Sequence, residues 1–203
     1  MTKLLPIVAS LAACLTACSK SKSDAPAADK AAPPAELSPT AVADANGLVP
    51  AELKSKLVFE KAEVSQKRLS TMTTFQLAAP HGWTQKDKKW AELVSPDAPT
   101  TEIKLSTDCN GECKPKNWAK ASHGVFDQFS DATVVKSETG ATSRSLIATQ
   151  KDSSTVVVYA WWQPDASQYQ YCTATLDAPL AAAAPAFLKA CQAVAVASNE
   201  SAS

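Results

Sequence analysis

The sequence predicts an α+β fold, a mostly antiparallel sheet sandwiched by helices and preceded by a disordered tether. Three observations carry that expectation. All 13 aromatic residues (Trp 5, Tyr 3, Phe 5) fall between Phe59 and Phe187, so the bulky apolar side chains that make a core are confined to one stretch. Within it, short segments of period-two alternation are separated by turn residues, and two segments instead show helical spacing. Ahead of it, residues 19–50 hold 9 Ala, 5 Pro and 4 Ser with no aromatic, too little apolar area to offset chain entropy.

The N-terminus reads as an address. Lys3 supplies a positive start, residues 4–13 form an apolar run, and Cys14-Leu15-Thr16-Ala17-Cys18 follows, the layout of a secretory signal. The run is shorter than the about 20 apolar residues a permanent membrane helix requires. Leu15-Thr16-Ala17-Cys18 resembles a bacterial lipobox, an aliphatic residue and two small ones before the cysteine whose sulfur is acylated. Residues 1–17 are then a lipoprotein signal peptide and Cys18 the lipidation site. Acyl chains such as palmitate, at about 0.8 kcal/mol per buried CH₂, make such an anchor effectively permanent. By resemblance to lipoprotein sorting signals, Ser19 after the acylated cysteine points to the periplasmic leaflet of an outer membrane. Residues 18–56 are expected to be the lipidated cysteine and a disordered Ala/Pro-rich spacer.

Residues 57–197 are expected to form the domain. Phe75-Gln76-Leu77-Ala78-Ala79 alternates as a strand with Phe75, Leu77 and Ala79 on one face, and Pro80-His81-Gly82-Trp83 turns the chain. Residues 90–95 and 101–106 read as a hairpin joined through Pro96-Asp97-Ala98-Pro99, with Ile103 and Leu105 inward. Pro115 suits a first helical turn, after which Trp118, Ser122, Val125, Phe126 and Phe129 recur at helical spacing. Residues 133–138, 143–149, 155–163 and 169–176 then read as successive strands, with turns at Thr139-Gly140 and Asp152-Ser153-Ser154. Residues 156–162 are apolar on both faces, the pattern of a central strand in which Trp161 and Trp162 face opposite ways. Pro179 opens a last helix with Leu180, Ala184, Phe187, Leu188 and Cys191 on one face, bent at Pro185. Residues 198–203 read as a disordered tail.

Phe75-Gln76-Leu77-Ala78-Ala79-Pro80-His81-Gly82-Trp83 and the closing strand-helix-strand of residues 169–196 are similar to the PsbP-like group. That group includes photosystem II extrinsic proteins, a Ran-binding protein and DcrB-type envelope lipoproteins. The resemblance implies a noncatalytic binding or assembly module with no catalytic residue set to carry over, and no cofactor.

Charge and composition narrow the function classes. Lys+Arg and Asp+Glu both total 20, and removing Lys3 with the leader leaves 19 against 20. A nucleic-acid footprint needs a basic excess. With 5 glycines and 2 histidines, Gly-rich phosphate loops and His-rich metal sites have little to be made from. His81 and His123 lack an evident partner at ligand spacing and read as surface residues, and the lysines at 86, 88 and 89 read as a solvated turn.

Four cysteines remain once Cys14 and Cys18 are set aside. Alternation puts Cys172 on the face of Ala174 and Leu176, and helical spacing puts Cys191 on the buried stripe, so a Cys172 to Cys191 bridge is expected in an oxidising compartment. Cys109-Asn110-Gly111-Glu112-Cys113 reads in two ways. One is a local disulfide clip. The other is a periplasmic thiol-redox or metal-handling pair near a helix start, with Glu112, His123 or Asp108 as further ligands.

Overall fold

The computed structural model describes residues 36–68, 71–108, 123–162 and 169–201. Contacts divide the chain into Met1–Ala31 and Ala32–Ser203, and every described residue belongs to the second unit. Its strands are β1 (Phe59–Arg68), β2 (Thr71–Pro80), β3 (Thr84–Gln85), β4 (Ala91–Val94), β5 (Glu102–Asp108), β6 (Thr133–Thr139), β7 (Ser143–Thr149), β8 (Thr155–Trp161), β9 (Tyr169–Leu176) and β10 (Ala195–Ser201). The helices are α1 (Pro39–Gly47), α2 (His123–Asp127) and α3 (Ala184–Gln192). The fold class is α+β, and the described strands pair antiparallel throughout.

Two sheets form. β2 is the middle strand of a three-stranded sheet, between β1 and β10, and the seven-stranded sheet runs β3-β4-β5-β9-β8-β7-β6. β8 lies inside that sheet between β9 and β7, and both of its faces are apolar because both are covered. Val157, Tyr159 and Trp161 face the main core, whereas Val156, Val158, Ala160 and Trp162 face a second cluster with Val125 and Phe126 of α2. The main core joins Phe75 and Leu77 of β2, Ile103 and Leu105 of β5, and Phe187 of α3. Phe187 packs edge-on to Phe59 at 5.1 Å and tilts against Trp83 at 5.6 Å. A fully buried Phe of this kind contributes about 1.5–3 kcal/mol. β2 is buried at Gln76 and Ala78 as well as at Phe75, Leu77 and Ala79, so the one-faced strand expected there is a central strand covered on both sides.

The expected disordered spacer over residues 18–56 is corrected for its second half. Residues 36–56 are folded onto the domain. Pro39 begins α1, Ala41 and Ala45 are buried, and the helix packs along α3, where Lys189 Nζ meets Asp44 Oδ2 at 3.3 Å. Asn46 then clamps the entry to β1: its Nδ2 donates to Phe59 O and its Oδ1 accepts from Phe59 N, both at 2.8 Å. Alanine is both the best helix former and small enough for close helix contact, so this segment needs no aromatic residue to dock. The end of the domain is corrected too. Residues 198–201, expected in the disordered tail, continue β10 after a register shift between Val196 and Ser198. At α3, Pro185 does not bend a helix begun at Pro179. Residues 178–183 form a 3-10 turn, and Pro185 stands in the first turn of α3, where its missing N–H has no partner to lose.

Candidate functional site

Register sets the chemistry of the seven-stranded sheet. Ala91, Leu93, Ile103, Leu105, Cys172 and Ala174 lie in the main core, and they pair across strands as Ala91↔Leu105↔Cys172 and Leu93↔Ile103↔Ala174. Alternation therefore puts Glu92, Lys104 and Thr173, and with them Val94, Glu102 and Thr175, on the opposite face. The second cluster draws its described members from α2, its exit and strands β7 to β9, and none from β4 or β5. Over β4 and β5 this face thus carries charge.

Glu102 is half-buried there. Burial, then the charge of Glu92 and the hydrogen bond that protonated Glu102 donates to it, hold the Glu102 carboxyl above the ordinary glutamate range, against the opposing pull of Lys104 and Lys86. Beside this pair stands Trp90, 44% exposed. Its indole ring has Lys104 Nζ at 5.0 Å and Lys89 Nζ at 5.5 Å from the centroid, within cation–π range. The loop between β3 and β4 is pinned rather than free. Gln85 Oε1 accepts from Ser65 N at 3.2 Å, Gln85 Nε2 donates to Ser65 O at 2.5 Å and to Trp90 O at 2.8 Å, and Lys67 N donates to Lys88 O at 2.6 Å. Asp87 Oδ1 accepts the Lys89 backbone N–H at 2.7 Å. The result is an exposed aromatic side chain among lysines at the corner where β1, β3, β4 and β5 meet.

The expected bridge forms: Cys172 and Cys191, both buried, are joined by a disulfide with Cα atoms 5.4 Å apart. It ties β9 to α3 within the main core, as the face assignments predict. Cys109 and Cys113 lie outside the described residues, as does Cys18. His81 is exposed, as expected, but it has a carboxylate partner, Glu60 Oε2 at 3.0 Å from Nδ1. Trp161 stacks on Tyr159 at 5.5 Å beside the main core, and Trp162 packs on the second cluster, so each face of β8 takes one indole. A shallow open cleft at the exit of α2 and the β7–β8 turn includes Gln128, Phe129, Asp131 and Lys151, with the last two paired at 3.0 Å. Among the described residues, no group of three or more His, Cys, Asp or Glu side chains is placed to hold a metal ion. The site missed at the level of sequence is Glu92–Glu102 with Trp90. The β4–β5 pairing brings these residues together; the hairpin was expected, but the register that sets Glu92 beside Glu102 was not.

The described residues define an α+β protein of two antiparallel sheets whose closing helix is tied by a disulfide to the larger sheet. No protein-family model matches the chain, and no curated protein matches it. Among solved structures, it is similar to the Saccharomyces cerevisiae Ran-binding protein Mog1p, at 11% identity over 68% of this chain and 96% of that one, with a TM-score of 0.46.

Proposed function

We propose that the protein is a lipid-anchored lipoprotein of the bacterial cell envelope. Acylated at Cys18, it presents a PsbP-like, noncatalytic domain that binds or helps assemble an envelope protein partner. The observation that carries this reading is the run Leu15-Thr16-Ala17-Cys18 behind a positively started apolar segment. A further feature supports it. The Cys172–Cys191 disulfide suits an oxidising compartment. Resemblance of Ser19 to lipoprotein sorting signals supports the periplasmic leaflet of the outer membrane as its place.

The test is metabolic labelling with an alkyne fatty acid in a bacterial host, followed by membrane fractionation. The wild-type chain is expected to carry label and to sediment with outer membranes, and Cys18→Ser to lose both. Unlabelled wild-type protein in the soluble periplasmic fraction would overturn the reading.

A further inference from the structure

We propose that the corner built from Trp90 and the lysines at 67, 86, 88, 89 and 104 is a docking surface for an anionic lipid bilayer. The inference goes beyond the anchor reading and rests on it only for bringing lipid within reach. The chain as a whole balances 20 basic against 20 acidic residues. Residues 86–90 instead hold three lysines and one acid, a local excess of positive charge even with Asp87 counted in full. The loop lysines are exposed, whereas the nearby Glu92 and Glu102 sit half-buried on strands. The local field facing solvent is therefore positive, the complement of a bilayer rich in phosphodiester headgroups.

Trp90 supplies the second part. A large indole left 44% exposed, amphipathic and flanked by two ammonium groups, has the form of an interfacial anchor, with its ring at headgroup depth and the lysines among the phosphates. Rigidity is the third part. The contacts of Gln85 with Ser65 and Trp90, and of Lys67 with Lys88, hold the backbone that carries the aromatic and the lysines in one arrangement, so little backbone ordering remains on docking.

The experiment uses the chain from Ser19, which keeps every described residue and lacks the anchor. It is floated with vesicles of phosphatidylcholine, with or without phosphatidylglycerol, at low and at high salt. Flotation is expected only with phosphatidylglycerol, and to fall as salt rises. Lys86→Gln, Lys88→Gln and Lys89→Gln should each weaken binding about fivefold, and the triple variant roughly a hundredfold. Trp90→Phe should remove most of the tryptophan quenching by brominated lipid. A matched triple variant at Lys54, Lys56 and Lys151 should bind as wild type, and thermal midpoints check that every variant is folded. Absence of flotation with phosphatidylglycerol, equal binding to both vesicle types, or equal loss in the matched triple would overturn the proposal. Fatty-acid labelling at Cys18 reads the anchor separately: label without flotation fails the corner alone, and flotation without label fails the anchor alone.

Discussion

At Glu102 several forces meet on one carboxyl. Burial and the neighbouring Glu92 charge disfavour ionisation, while Lys104 on the same strand and Lys86 on the loop favour it, and the first pair prevails. From β9, the residues opposite are the uncharged Thr173 and Thr175. A carboxyl whose pKa is raised on folding binds its proton more tightly in the folded state. Its contribution is therefore favourable in acid and is lost as pH rises through the folded value. Glu102→Gln keeps a group able to donate to Glu92 and removes the ionisation penalty. Its thermal midpoint should exceed wild type at pH 7 and coincide with it below about pH 4, where the carboxyl is protonated in both states. A midpoint difference that does not depend on pH would assign the effect to packing instead. The hairpin that carries Glu92 and Glu102 was legible in the sequence, but the partners were not: Glu92 with Glu102, like His81 with Glu60, is brought together by a strand register that the sequence did not announce.

Among the elements, α1 shows how little apolar area a docked helix needs when polar clamps hold its ends. Leu37 N donates to Gln76 Oε1 at 3.0 Å, Gln76 Nε2 donates to Glu63 Oε1 at 2.7 Å, and Asn46 holds both backbone groups of Phe59. Asn46→Ala breaks two part-buried hydrogen bonds and leaves the β1 entry unpaired, so denaturant unfolding should show a loss of about 1–3 kcal/mol. A wild-type midpoint for that variant would mean the segment adds nothing to the fold. The same element marks a limit of composition as a guide. Ala and Pro richness predicts disorder because such segments bury little, yet Ala41 and Ala45 bury fully against neighbours that approach closely. Strands β5 and β7 to β9 were legible because alternation, apolar runs and turn residues are local signals. β1, with acidic and basic residues through most of its length, carried no such signal, and its pairing with β2 defines it. At the far edge of the seven-stranded sheet, β6 is exposed throughout, with Val134 at 58% and Val135 at 66%. A register shift between Val134 and Lys136, with Lys136 paired to Glu138 at 3.0 Å, gives that edge the bulge and charge that discourage further strand addition.

For the whole molecule, the Cys172–Cys191 bridge joins the larger sheet to the helix that also contacts β2, so one covalent bond couples the parts of the main core. Its sequence separation of 19 residues corresponds to roughly 3 kcal/mol of restriction on the unfolded chain. The double variant Cys172→Ser with Cys191→Ser should unfold at lower denaturant by that amount, and wild-type protein in reductant should match it. An unchanged midpoint in both would show that packing alone sets the stability. This pairing was legible because both faces, period two on β9 and helical on α3, are local patterns that point into one layer.

The three-stranded sheet has its first and last strands in chain order on either side of β2. A polypeptide that emerges amino end first, from a ribosome or through a translocation pore, can form the β1–β2 hairpin early. It cannot close that sheet until residues 195–201 have cleared the exit, and α3 with its cysteine arrives only just before them. Completion of that sheet is thereby deferred until residues 195–201 have emerged, and their pairing with β2 then joins the early hairpin to the late helix in one core.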